Sequence, residues 1–360
     1  MRFPALWLIL LAALNAAHAD DAVFKVGVTT RDLVPAEPYD WRGASTHALR
    51  TTIWYPATAG AREDAQWIGP RLIPFVSAGR AARDAEPAAG RHPLILLSHG
   101  FGGTASDLAW LGVALAAHGF IAAAINHPGN NGDDGSTVEG AALSWLRAVD
   151  LSTVIDALRD DNTFGRRIDP ARIGAAGHSF GGYTVIALAG GITDPERLRA
   201  FCRSPDADAL CAPAPDVSAL RQQSMARLAS DADFRQRYGR AAASYRDARI
   251  RAVFALAPGP GPIFTPESLG RIAIPVALAT GSADAVAPPA SGAEALGKVI
   301  PQATLKRFAD AGHFVFFGTC TAVGRMALRT VCRDPDGIDR NAVHTETIQL
   351  ALDFFTASLR

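Results

Sequence analysis

The stretch RIGAAGHSFGGYTVIALA, residues 172–189, decides the fold. Arg172 to Ala176 reads as a short buried strand, and Phe180 to Ala189 as the helix that follows. Between them lies Gly177-His178-Ser179-Phe180-Gly181, a G-x-S-x-G run extended by Gly182. A strand that turns straight into a helix folds its backbone against itself on both sides of the turn. Bulky residues at 177 or 181 would clash there, and glycine removes the obstacle. The turn projects the side chain of residue 179 beside a helix N-terminus, whose N–H groups favour negative charge.

The same alternation extends in both directions. Phe24 to Thr30 and Leu49 to Tyr55 read as early strands, the second ending at Pro56. The stretch from Ala57 to Gly90 is rich in Pro, Gly, Ala and Arg and reads as loop. Leu94 to Leu97 and Ile121 to Ile125 are apolar runs of buried-strand type, with a helix between them that Asp107 could cap. Ser144 to Arg159 has helical periodicity. Strands resume at Ala252 to Leu256, Val276 to Ala279 and Thr304 to Phe308, and a helix closes the chain over about Glu346 to Leu359. Strands alternating with helices predict a largely parallel sheet. The segment from about 191 to 248 breaks the rhythm and reads as an inserted helical lid. It is too short and polar for a core of its own, so one domain is expected over 20–360.

Ser179 needs a base and an orienting acid if its hydroxyl is to act as a nucleophile. For a strand-elbow-helix serine the chain order is Ser, acid, His. His313, in Asp310-Ala311-Gly312-His313-Phe314, follows the last expected strand and is the candidate base. His344, at the start of the final helix, fits that place less well. Asp284, in Thr280-Gly281-Ser282-Ala283-Asp284, follows the strand before and is the candidate orienter; Asp310 is its competitor, read as a turn acid. Ser98-His99-Gly100-Phe101-Gly102-Gly103 follows the strand at Leu94 to Leu97. It places the backbone N–H of Phe101 as one oxyanion donor, with that of Phe180 as the other. His99 reads as a loop-holding residue. The loop Asn126 to Asn131 is expected at the rim, where His127 and Asn130 could meet substrate; a plain Pro-Gly turn would also account for it.

Other chemistries fare worse. Gly100 to Ala105 matches a dinucleotide pattern, but the next strand ends in Asn126 where that pattern wants an acid. No H-E-x-x-H or other metal-ligand cluster is visible, so no metal or other cofactor is implied. The 35 basic and 35 acidic side chains cancel, and only Lys25, Lys298 and Lys306 are lysines. No nucleic-acid tract or polybasic anchor follows from such a distribution.

At the N-terminus, Arg2, the apolar run from Ala5 to Leu14 and Ala17-His18-Ala19 occur in the order of a secretory signal peptide cut after Ala19. No later run is long enough for a transmembrane anchor. A periplasmic or secreted location is expected, where cysteines oxidise. Cys202 with Cys211 and Cys320 with Cys332 form the simplest disulfide pairing, although four cysteines allow three.

In this order, HGFGG (99–103), HPGNN (127–131), GHSFGG (177–182), GSAD (281–284) and DAGH (310–313), with WYP at 54–56, resemble the bacterial predicted dienelactone hydrolases. They are similar also to platelet-activating-factor acetylhydrolases of the α/β-hydrolase type. The resemblance implies an α/β-hydrolase fold, a mostly parallel sheet flanked by helices, and hydrolysis of a small-molecule or lipid-like carboxylic ester. True dienelactone hydrolases use a Cys nucleophile where this chain has Ser179, so that name does not carry the activity. A serine peptidase or amidase on the same three residues is the alternative, and a non-catalytic binding module a third. The sequence leaves oligomeric state open.

Overall fold

The computed structural model describes residues 24–35, 38–70 and 72–360. The signal peptide expected over 1–19 lies outside them. The strands are β1 (Lys25–Leu33), β2 (Leu49–Ala57), β3 (Asp64–Ile68), β4 (Val76–Arg83), β5 (His92–Ser98), β6 (Ile121–Ile125), β7 (Asn130–Asn131), β8 (Gly135–Ser136), β9 (Ile168–His178), β10 (Ile250–Leu256), β11 (Val276–Gly281), β12 (Ala303–Phe308) and β13 (Thr319–Cys320). Apart from the small β7–β8 ribbon they form one sheet, ordered β12-β11-β10-β9-β5-β6-β2-β1-β4-β13, with β3 on β4. The six strands from β12 to β6 run parallel. β2 and β1 continue the sheet antiparallel.

Both faces of β6, β5, β10, β11 and the end of β9 are covered, which is why these stretches read as buried runs, whereas the edge strand β12 is largely exposed. Leu94 and Leu96 of β5 enter one core with Ile121, Ala123 and Val253. Ile95 and Leu97 enter the other with Ala122, Ala124 and Phe254. From β5 the chain moves one way to β6; from β9 it moves the other way through β10, β11 and β12. The order therefore reverses between β5 and β9, where Ser98 pairs with Gly177. The carboxyl ends of strands at such a reversal open a crevice between their loops.

Several expectations are corrected. The stretch 57–90 is not all loop, because it contains β3 and β4. β3 is a polar, largely solvent-facing edge strand, and β4 buries mainly alanines around Gly79, whose φ is +86°. Neither carries the β-branched alternation that marks a strand. β2 runs through Pro56 to Ala57. Its ladder with β6 ends at Trp54, so β1 is its remaining sheet neighbour there and an imide is tolerated. Asp107 is not the N-cap of the helix Ala109–Ala117. It lies inside a preceding 3₁₀ turn, where its carboxylate accepts from the N–H and hydroxyl of Thr104. The last helix starts earlier than expected, at Arg340, where Asp339 caps two amides.

The inserted segment is helical over Pro195–Phe201, Pro215–Ser230 and Ala232–Gly239. It buries Phe234 and Ala241 against Leu143 and Trp145. Arg227 pairs with Glu139, and Arg237 with Asp40 at 2.7 Å. Disulfides join Cys202 to Cys211 and Cys320 to Cys332, as expected. Among the described residues no helix is long and apolar enough to cross a membrane.

Candidate active site

Ser179 sits where β9 meets the helix Phe180–Ala189, with φ 56° and ψ −117°. A side chain in this left-handed region is strained and persists only when its surroundings impose it. Here they do. Ser179 N–H donates to Leu256 O at 2.8 Å, and Gly259 N–H donates to Ser179 O at 3.2 Å. A Cβ on Gly177 would come within 2.2 Å of Gly181 O, and one on Gly181 within 1.8 Å of Ser98 O. Strand, elbow and helix close up only with glycine at both positions. Gly181→Ala is expected to destabilise the fold by about 3 kcal/mol, since backbone stands in the way. Gly60→Ala, which meets open space, is the control. Paired urea-unfolding curves check this; equal midpoints would show that the helix can retreat.

The parallel register brings the other two loops alongside. Ser179 Oγ–H donates to His313 Nε2 at 2.8 Å, and His313 Nδ1–H donates to Asp284 Oδ2 at 2.7 Å. Asp284 Oδ1 accepts from the amides of Val286 and Ala287, both at 2.8 Å. Asp284 and His313 are each 4% exposed. The carboxylate is thus fixed from behind and can only accept, which settles the imidazole tautomer. Below His313, His178 Nε2–H donates to the His313 carbonyl at 3.1 Å. Burial, with His313 beside it, holds the His178 pKa well below the ordinary histidine value, so it acts as a neutral donor. The competitors lie elsewhere. Asp310 is exposed and its N–H donates to Ser282 Oγ; His344 is buried, stacked on Trp110 and bonded to Val315 O.

Phe101 and Phe180 flank the serine, their rings 5.8 Å apart. Among the described residues neither backbone N–H has a backbone or side-chain acceptor. A Cβ on Gly100 would stand 3.4 Å from Ser179 Cβ, so the loop after β5 lies directly against Ser179. His99 Nδ1–H donates to Gly100 O at 2.6 Å and fixes the peptide plane that carries the Phe101 N–H. His99 Nε2 accepts from the His127 amide at 3.2 Å. His99 is therefore the loop-holding residue expected of it.

His127 and Asn130 are a correction. Both are 0% exposed and lie behind the loop, not at a rim. His127 Nδ1–H donates to Asp150 Oδ2 at 2.7 Å, and Ser98 Oγ–H donates to His127 Nε2 at 2.9 Å. Asp150 also takes the Tyr39 hydroxyl and both short bonds from Arg42 Nη2, at 2.8 and 2.9 Å. Asn130 Oδ1 accepts from Arg147 Nη1 at 2.9 Å and, at 3.4 Å, from the Gly102 amide. The Pro-Gly turn at 128–129 tucks these side chains inward because Gly129, at φ +67°, sits against Arg42 and Thr137.

Comparison with known proteins agrees with this architecture. Residues 94–323 match the family model described as the alpha/beta hydrolase family. The chain belongs to that family. Among curated relatives, platelet-activating factor acetylhydrolase of Cavia porcellus is 29% identical over 30% of this chain and 34% of its own length. Cutinase est1 of Thermobifida alba is 35% identical over 26% of this chain and 29% of its own. The matches span about a third of these relatives. In overall fold the chain is similar to a ferulic acid esterase from Streptomyces cinnamoneus, with TM-score 0.61, 22% identity, and coverage of 96% of this chain and 92% of that one.

Sequence reading of this α/β hydrolase missed Tyr39, Arg42, Arg147 and Asp150, which hold the loop after β5. One signal was available. In the helix Leu146–Asp160, Leu151, Val154 and Leu158 follow Arg147 at helical spacings, so a cation stands on the buried stripe.

Proposed function

We propose that this α/β hydrolase is a serine carboxylic-ester hydrolase acting through an acyl-enzyme on Ser179. The observation that carries the reading is the unbroken chain Ser179–His313–Asp284, at 2.8 and 2.7 Å, with the amides of Phe101 and Phe180 left without an acceptor among the described residues. Ser179 Oγ attacks the ester carbonyl carbon as His313 Nε2 takes its proton. The amides of Phe101 and Phe180 receive the developing oxyanion. When the tetrahedral intermediate collapses, the C–O bond to the alcohol breaks and His313 returns the proton to the departing oxygen. Water then repeats the sequence on the acyl-enzyme and releases the acid. Asp284 keeps its bond to His313 Nδ1–H and stabilises the imidazolium.

Similarity to an acetylhydrolase and to cutinases supports esters of short acyl chains or lipid-like esters as the substrate class. Two disulfides support export, with cleavage after Ala19 of a signal peptide over 1–19. In this reading the catalytic domain runs over 20–360, and the inserted segment 191–248 acts as its lid. The experiment is turnover of p-nitrophenyl esters of graded chain length beside the matched p-nitroanilide. Ester turnover at least about 10²-fold above the anilide is expected, because the amine is the poorer leaving group. Comparable rates would favour a peptidase or amidase. Absence of both turnover and fluorophosphonate labelling would leave a non-catalytic binding module.

A further inference from the structure

Behind the loop after β5, one buried cation has no carboxylate at ion-pair distance among the described residues. Arg42 and His127 share Asp150, and although burial would raise that carboxyl's pKa, Arg42 and the His127 bond outweigh it and keep it ionised. Burial and the neighbouring Arg147 keep His127 neutral, and burial keeps His99 neutral. Asp150 is ion-paired with Arg42, and Arg147 has no such pair. It is 1% exposed, and among the described residues no carboxylate lies at ion-pair distance from it. Burial lowers its pKa to about 9, so it remains a cation at neutral pH. An unpaired buried charge is costly, and a fold that keeps one needs compensation elsewhere.

The partners of Arg147 indicate where that compensation lies. Its Nη2 donates to the carbonyl of His99 and, at 3.3 Å, to Ser98 Oγ. Its Nη1 donates to Asn130 Oδ1, which also accepts the Gly102 amide. These bonds grip the loop on both sides of Phe101. Its Nε donates to Thr184 Oγ1 at 3.0 Å, and Thr184 in turn donates to the Phe180 carbonyl at 2.9 Å. The guanidinium lies 5.0 Å from the centre of the Phe180 ring. One side chain therefore ties together the two backbone segments that flank Ser179.

We propose that Arg147 is a positioning residue for the oxyanion donors: its guanidinium, free of any direct ion pair, locks the Ser98–Gly102 loop to the Phe180 helix and sets a positive charge behind the tetrahedral intermediate. This rests on the serine-esterase reading above. A neutral ester gains little from that charge, and an oxyanion gains more. The interaction thus belongs to the transition state and should act on kcat with little change in KM.

The test compares wild type, Arg147→Met and Arg147→Lys as intact, disulfide-bonded protein on p-nitrophenyl acetate. Active sites are counted by fluorophosphonate labelling to completion, so kcat is per labelled serine. In Arg147→Met, kcat per site is expected to fall about 10²-fold with KM changed less than about twofold, the size of loss that misplaced reacting groups produce. The Ki of phenylboronic acid, which forms a tetrahedral anion on the serine, should rise by a similar factor. Arg147→Lys keeps the charge without the planar fork and should lose about tenfold in kcat. Wild-type kcat per site with only a smaller labelled fraction or a lower Tm would mean a purely structural role and overturn the proposal. So would a KM that rises while kcat holds. If Arg147→Met does not fold, the Lys variant decides on the same split. Wild-type turnover and its loss in Ser179→Ala judge the esterase reading separately, so failure at Arg147 leaves that reading standing.

Discussion

Ser179→Ala is expected to lower ester turnover by about 10⁶-fold and to leave the fold intact, because members of a triad act as a unit. The substitution removes only the hydroxyl. The bonds that impose the elbow are made by backbone, from Ser179 N–H to Leu256 O and from Gly259 N–H to Ser179 O, and alanine keeps both. The left-handed φ is no harder for alanine than for serine. What disappears is one hydrogen bond to His313 in a partly exposed position, worth about 1 kcal/mol. Urea unfolding should shift by no more than that, while p-nitrophenyl acetate hydrolysis falls close to the uncatalysed rate. Some acceleration over water should survive, since the amides of Phe101 and Phe180 remain in place. Turnover within tenfold of wild type would remove Ser179 from the role of nucleophile.

The elbow was legible in the sequence because its constraint is local. Glycines at 177 and 181 are demanded by contacts under 2.5 Å with backbone, and the glycine pattern records that demand directly. Asp284 and His313 were legible for a related reason. Each lies just beyond the carboxyl end of a parallel strand, Asp284 after the buried β11 and His313 after the edge strand β12, and parallel register carries those ends to one edge. β3 and β4 were not legible. At the far side of the sheet β3 exposes Trp67 and β4 buries mostly alanines, so neither shows an apolar alternation.

The buried network behind the loop was hidden for a different reason. Tyr39, Arg42, His127, Arg147 and Asp150 are scattered over more than a hundred positions and become neighbours only through the tertiary fold. The placement of His127 and Asn130 failed on this point. A polar loop beside a site is usually solvated, and only the side chains waiting underneath turn it inward.

Asp284→Asn is expected to lower kcat by about 10⁴-fold with little loss of stability, because it reverses the tautomer of His313. The reason lies in how the carboxylate is held. Its Oδ1 accepts from the amides of Val286 and Ala287, and its Oδ2 accepts from His313 Nδ1–H. An asparagine in this place keeps its carbonyl oxygen toward the two amides, since its NH₂ cannot accept from them. The NH₂ then faces His313 and obliges Nδ1 to become the acceptor. The imidazole proton moves to Nε2, where it meets the Ser179 hydroxyl and leaves no base for the serine proton. Asp310→Asn is the matched control. Asp310 is exposed at φ 55°, its contact with Ser282 runs through its backbone N–H, and asparagine tolerates a left-handed backbone well. Its kcat should stay within about twofold of wild type, as for a surface change away from the reacting atoms. Steady-state kinetics on p-nitrophenyl acetate for the two variants separates the roles, and losses of equal size would undo the assignment of Asp284 as the residue that orients His313.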